Sequence, residues 1–171
     1  MRKPLYALLL WSAALLPAEA VDNVHFTGTL TSGSCDLVLQ GDLLDEVVFP
    51  TMSTSGLMAR GQSAKVPVTF ELENCDVSRK GRVSIKLTGA EDGDLPGYLA
   101  IDGGSVASGI GIGIETLDGA AVAINGNSGT TFTLEAGHNT LHLNAWIQAK
   151  TGVTPVAGDF TATATATFEY L

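Results

Sequence analysis

The chain has 171 residues, with 9 Lys or Arg against 18 Asp or Glu, and a formal net charge of -9 at pH 7. An acidic chain with scattered basic residues argues against nucleic-acid binding, which needs a basic patch. Its apolar stretches fall short of the roughly 18 residues that a membrane-spanning helix needs, so we expect no transmembrane segment.

Residues 1–20 are typical of a secretory signal peptide. Two basic residues precede the apolar run at 5–16, and Ala18 and Ala20 form an A-x-A cleavage site, so the mature chain is predicted to begin at Val21. Cleavage removes two basic residues and one acidic residue, which leaves a net charge of -10. The remaining 151 residues are enough for one domain with a core and too few for two comfortable ones.

Two cysteines, Cys35 and Cys75, follow the signal peptide. Because an exported protein enters an oxidising compartment, we expect them to form a disulfide. A bridge across this spacing would contribute about 4 kcal/mol in the chain-entropy view. The alternative is a pair of buried free thiols.

Short alternating segments separated by turn signals run through the mature chain. We predict strands at residues 24–30, 35–40, 64–72, 82–87, 98–101, 110–115, 121–124, 131–134, 140–148 and 160–171. Ser53 begins a stretch that could form one short helical turn. Short strands at this spacing favour an antiparallel β-sandwich.

Two sequence features invite a ligand-binding interpretation that their context does not favour. The Gly/Ile alternation at residues 109–115 lacks the Lys-Ser/Thr pair and the helix of a phosphate loop, so it predicts a strand. Trp146 lies in an alternating strand, where we expect a core residue and not a sugar-stacking platform.

Acidic and histidine residues offer two candidate metal sites, and both have a plainer interpretation. Asp92, Asp94 and Asp102 lack the spacing of a calcium loop and predict a solvated acidic loop. His138 and His142 are four residues apart, as in a helical zinc pair, but they lie in a predicted strand and lack the accompanying Glu. We expect no metal, no cofactor and no enzyme activity, since a nucleophile elbow is also missing.

The final segment alternates strictly between an apolar and a hydroxylated face. The apolar face consists of Phe160, Ala162, Ala164, Ala166, Phe168 and Tyr170, and extending the same register backwards reaches Gly158. A period of two is that of a strand with one face buried and the other in water.

Several of these features together resemble the type 1 fimbrial pilin family of the chaperone-usher pathway. They are Cys35 and Cys75 with "PVTFELENC", the segments "GIGIGIETLD" and "LNAWIQA", and the terminal strand. In that family a Gly stands fourteenth from the C-terminus and an aromatic residue stands penultimate, and here these positions hold Gly158 and Tyr170.

The resemblance implies an all-β, incomplete immunoglobulin-like antiparallel sandwich that lacks its final strand. Donor-strand complementation would fill the gap, first by a periplasmic chaperone and then, at the outer-membrane usher, by the arm of a neighbouring pilin subunit. The protein would pass through the periplasm and become part of a surface fimbria that supports bacterial adhesion. The strand that borders the open groove would carry Gly158, Phe160, Ala162, Ala164, Ala166, Phe168 and Tyr170.

The resemblance also divides the chain into a signal peptide at 1–20, a donor arm at 21–33 and a pilin domain at 34–171. In the arm, Val24, Phe26, Gly28 and Leu30 alternate with polar residues, and Gly28 would face a shallow part of the groove. Only three mature residues precede the first of these, a short lead that favours a minor or adaptor subunit.

Two other functions remain as alternatives at this point. One is a self-contained secreted β-sandwich that binds a ligand or sugar, as a lectin or adhesin does, and the other is an exported hydrolase. A pilin should co-purify with a chaperone and be poorly stable alone, whereas a self-contained module should not.

Overall fold

In residues 35–38 and 46–171, the part that the computed structural model describes, the chain forms β-strands and one short helix. They are β1 (Asp36–Val38), α1 (Thr54–Arg60), β2 (Val66–Cys75), β3 (Arg82–Gly89), β4 (Leu99–Ala100), β5 (Ile110–Thr116), β6 (Thr130–Thr133), β7 (Gly137–Ala149) and β8 (Ala164–Tyr170). The predicted strand at 24–30 and the end of the one at 35–40 lie outside the described residues.

The strands form two antiparallel sheets. One has the order β1-β2-β7-β5-β4 and the other the order β6-β3-β8. Their inner faces share one apolar core, to which β3 contributes Val83 and Ile85 and the larger sheet contributes Leu72 and Leu143, each fully buried. The predicted antiparallel sandwich is therefore confirmed.

The predicted strand at residues 121–124 is wrong, although its alternation of burial is real. Val122 and Ile124 are buried, but the Val122 amide donates to Ile114 and the Ile124 amide donates to Gly97, both at 2.9 Å. Because the two amides bond to different segments, this extended stretch builds no continuous ladder with either.

The predicted helical turn at Ser53 is confirmed as the start of α1. The Ser53 hydroxyl accepts a hydrogen bond from the Gly56 amide at 3.1 Å, which satisfies one of the free donors of the first turn. Gly61 ends the helix with φ of 77°, and its amide donates to Leu57 at 2.8 Å. Leu57 is the buried residue of this helix and fixes it to the sandwich.

The glycines of the Gly/Ile alternation in β5 lie on the outer face of the sheet, where one of them makes room for a large aromatic side chain. Gly113 pairs with Trp146 of β7, and a Cβ on Gly113 would lie 2.3 Å from the indole ring. Tyr98 packs edge-on against the same ring, with centroids 5.8 Å apart. Trp146 is thus buried as expected, but it packs on the outer face of the sheet and not in the core between the sheets.

Gly113→Ala should therefore destabilise the protein by about 1 to 3 kcal/mol, the usual cost of overpacking, because the new methyl group displaces Trp146. Thermal unfolding measures the change. Gly103→Ala is the matched control, since a Cβ there meets nothing within 4 Å. Equal melting temperatures for the two variants would contradict this account of the glycine.

Candidate functional site: an open groove beside the last strand

The strand β8 lies at the edge of the three-stranded sheet. Within residues 35–38 and 46–171 its only strand partner is β3, with Ile85 opposite Phe168 and Gly89 opposite Ala164. Proteins usually protect such an edge with Pro, Lys or a very short strand. β8 has seven residues with one charged residue, Glu169, and neither Pro nor Lys, so its free edge is suited to pairing with another strand.

Burial decreases from the centre of the sandwich towards this edge. In β3 the inward residues Val83 and Ile85 are 0% exposed. In β8 the inward residues remain only half-buried although they pack against the same core, namely Ala164, Ala166, Phe168 and Tyr170. The core is therefore open along β8.

The facing wall of this opening is the inner face of β2. Val66, Val68 and Phe70 pack against the core and are also only half-buried, in contrast to Leu72 at the end of the same row. The opening between the inner rows of β8 and β2 is called the groove below. Sequence analysis predicted β2 as a strand but did not assign its apolar face to the site, because the neighbour across a groove cannot be read from a local period.

Aromatic pairs lie near the two ends of the groove. Phe70 meets Phe168 edge-on, with ring centroids 5.3 Å apart, and Phe49 lies 6.0 Å from Phe160. Between them the β8 row consists of alanines, whose short side chains leave space. A cavity of about 330 Å³ opens at the Phe160 end, where we define the mouth of the groove.

The ladder of β8 begins at Ala164, later than the predicted start at residue 160. The preceding residues bond to a loop instead, since the Asp102 amide donates to Thr161 at 2.7 Å and the Thr161 amide donates to the Ser105 hydroxyl at 3.1 Å. The alternation of exposure nevertheless continues back through Ala162 to Phe160. The apolar row is thus longer than the hydrogen-bonded strand.

Gly158 lies in the loop before β8 and borders the mouth of the groove. A Cβ at this position would lie 2.6 Å from Cγ1 of Val106 and 2.8 Å from the Ala107 amide nitrogen. Only glycine permits this close approach of the two loops.

Tyr170 is held at the other end of the groove by both of its oxygens. Its hydroxyl donates to the Cys35 carbonyl at 3.2 Å, and its carbonyl accepts from the Lys80 ammonium at 2.7 Å. Burial raises the pKa of the Tyr170 phenol, and the nearby Asp36 carboxylate acts in the same direction. The phenol therefore remains a neutral donor at physiological pH.

The structure joins Cys35 to Cys75 in a disulfide, as expected. The bridge ties the first described residue to the end of β2, beside Tyr170. The predicted donor residues Val24, Phe26, Gly28 and Leu30, and the cleavage site at Ala18, Ala20 and Val21, lie outside the described residues.

The acidic loop is not fully solvated, which corrects the sequence-based expectation. The Asp92 side chain is 4% exposed and lies 2.8 Å from the Lys150 ammonium, which also contacts Asp94 at 3.0 Å. The hydrogen bond to Asp92 raises the pKa of Lys150. Asp92 and Asp94 therefore bind a lysine that follows β7, some 56 residues away from Asp94.

His138 and His142, expected as surface histidines, are both exposed and have different contacts. The His138 imidazole lies 2.7 Å from a Glu71 carboxylate oxygen, whereas His142 is exposed on the outer face of β7. Within the described ranges, no group of three or more His, Cys, Asp or Glu is arranged to hold a metal ion. The same ranges contain no helix with the length and hydropathy to cross a membrane.

Comparison with known proteins gives one consistent family match for this chain. The family described as "Fimbrial protein" matches residues 24–171. The fimbrial-like protein YfcP of Escherichia coli K12 is 48% identical over 164 residues, which cover 96% of this chain and 90% of that protein.

Solved structures agree with this match. The P pilus rod subunit PapA has a TM-score of 0.69 at 28% identity, with 80% of this chain and 99% of that chain covered. A chaperone-usher pilus structure has a TM-score of 0.71 at 27% identity, with 92% and 100% covered. The fold is therefore that of the chaperone-usher pilins.

Proposed function

We propose that this chain, which belongs to the fimbrial protein family and is a structural subunit of a fimbria, polymerises through the groove described above. In this proposal the groove accepts a strand from another protein along the free edge of β8. The observation that carries the proposal is the half-buried apolar row of β8 beside an edge without a strand partner in the described part of the chain.

The inserted strand needs apolar side chains every second residue to match the period of β8. The arm at residues 21–33 provides that pattern through Val24, Phe26 and Leu30, with Gly28 between them. We assign this arm as the donor to the groove of a neighbouring subunit. The pilin domain at 34–171 is the acceptor.

A chaperone and an usher complete the proposed route. Residues 1–20 direct export to the periplasm, where a chaperone strand fills the groove by strand addition until an outer-membrane usher exchanges it for an arm. Fimbrial proteins form cell-surface pili, and the exported subunit ends in such a fibre.

Neither alternative function is favoured. A self-contained binding module has no reason to leave an apolar row half-buried next to a free strand edge. The family is one of structural pilins and not of enzymes.

The short lead before Val24 supports one finer proposal, that the subunit is a minor or adaptor component of its fimbria.

Replacing Tyr170 tests the proposed recognition of β8 by its partner strand. Tyr170→Ser should reduce the yield of the exported protein and its incorporation into fibres severalfold, because the change removes a partly buried ring and its bond to Cys35. Immunoblots of periplasmic and fibre fractions measure both quantities.

Two controls separate a role in partner binding from general damage. Glu169→Ser changes the exposed face of the same strand and should leave yield and incorporation unchanged. Tyr170→Phe keeps the ring, so its yield and its incorporation into fibres should be close to those of the natural protein. Wild-type yield and incorporation for Tyr170→Ser would contradict the proposal, and lost yield with normal chaperone binding would make Tyr170 a packing residue only.

A further inference from the structure

Three exposed valines cluster around the mouth of the groove. Val48 is 72% exposed, Val106 is 68% exposed and Val156 is 54% exposed. Val48 and Val156 line the cavity at the mouth, and Val106 packs against Gly158, which lines it too. Single exposed apolar side chains are common, but a cluster beside a cavity is typical of an interaction surface. These three residues are called the mouth patch.

The mouth patch is held on a defined backbone. Ser108 and Val156 exchange backbone hydrogen bonds at 3.1 and 3.3 Å, and the Val106 amide donates to Asp159 at 2.9 Å. Pro155, the residue before Val156, is buried. Val106 and Val156 are thus held in place by backbone hydrogen bonds.

We infer that the mouth patch of an acceptor subunit contacts the body of the neighbouring subunit that donates its arm. This contact is additional to the contacts that the arm itself makes in the groove. The inference rests on the proposed function and names a second surface of the same assembly. Its partner is the end of the neighbouring pilin that carries Cys35.

The length of the connection between arm and body requires this proximity. A donor strand antiparallel to β8 places Leu30 near the start of β8, which is at the mouth of the acceptor groove. Cys35 comes five positions after Leu30 in the donor, and five extended residue steps span at most about 18 Å. A domain of this size has a radius of gyration of about 14 Å, so the donor body begins within roughly one domain radius of the mouth.

The donor end near Cys35 offers apolar groups to the patch. Leu37 and Leu171 are 40% and 43% exposed. Both lie at the end of the sandwich that carries Cys35, because β1 begins directly after Cys35 and Leu171 follows Tyr170, whose hydroxyl donates to Cys35. Contact between two different surfaces repeats from subunit to subunit, as an open fibre requires.

An aspartate substitution in the full-length chain tests this contact. Val106→Asp should slow fibre assembly by about tenfold and give more flexible fibres, because a charge replaces an apolar contact at a residue that does not line the cavity. Light scattering measures the assembly rate, and electron microscopy of the fibres measures their flexibility.

Leu117→Asp is the matched control. Leu117 is 67% exposed, and it follows β5, whose last residue Thr116 pairs with Leu143 in the middle of β7, away from the mouth. Assembly rates and fibre flexibility equal to those of this control would overturn the inference.

A peptide of residues 21–33 separates this inference from the proposed function. Added to each protein, it should raise the melting temperature of the natural chain and of both aspartate variants equally, since the groove itself is unchanged. An equal rise with slow assembly supports the mouth contact. If the peptide raises no melting temperature, the groove does not accept the arm, and the proposed function fails together with this inference.

Discussion

A protein that lacks its own arm but carries a copy of residues 21–33 after Leu171 should melt about 15 °C above the arm-deleted protein. The appended strand, joined through a flexible linker, can fold back antiparallel to β8 and occupy the groove. The chain would then be complete in itself and independent of a partner.

The expected size of this effect follows from three side chains. Full burial of Val24, Phe26 and Leu30 contributes about 5 to 8 kcal/mol as an upper bound from transfer values. That is comparable with the whole stability of a small domain. We therefore expect the filling of the groove to decide whether the isolated subunit is stable.

A single glycine in the appended copy provides the matched control. Gly28→Leu keeps the apolar pattern and adds volume, so it should remove much of the gain if that position faces a shallow part of the groove. Thermal unfolding by circular dichroism compares the proteins. A stable, cooperative arm-deleted protein that the appended strand leaves unchanged would overturn the proposal and favour a self-contained module.

Loss of the disulfide has the second largest expected effect. Replacing Cys35 and Cys75 together by Ala should lower stability by about 4 kcal/mol, because the bridge closes a long loop in the unfolded chain. The sequence separation of the two cysteines is 40. The bridge also holds the Cys35 carbonyl that accepts the Tyr170 hydroxyl, so the fixation of β8 weakens with it.

The comparison is cleanest in the variant with the appended strand, where the groove is already filled. Denaturant unfolding gives the difference in free energy. Intact mass of the natural exported protein separately checks that it begins at Val21 and contains no free thiol. A loss below about 1 kcal/mol would show that the unfolded chain is already constrained without the bridge.

Local patterns predicted the parts of the site that depend on a single segment. The alternation from Phe160 to Tyr170 predicted both the last strand and its inward face, and Ser53 with a following Gly61 marks the two ends of α1. Such features are set by backbone period and capping, which neighbouring residues determine.

Features that join distant segments could not be predicted in the same way. The β2 wall of the groove, the Asp92–Lys150 ion pair and the packing of Trp146 over Gly113 all depend on which strands become neighbours. An alternation with a period of two predicts that the Trp146 side chain is covered, but it does not tell which part of the fold covers it. The Gly/Ile alternation was the available signal, since glycines on one face of a strand make room for a large neighbour.

The disulfide at the root of the arm also has a mechanical consequence. Tension on the chain before Cys35 divides at this residue, and the covalent bridge carries load directly into the end of β2. β2 pairs antiparallel with β7 along most of its length, whereas β1 has three residues. A pull on the arm would therefore load β2 and its long pairing with β7 directly, so that the short strand β1 would not carry the load alone.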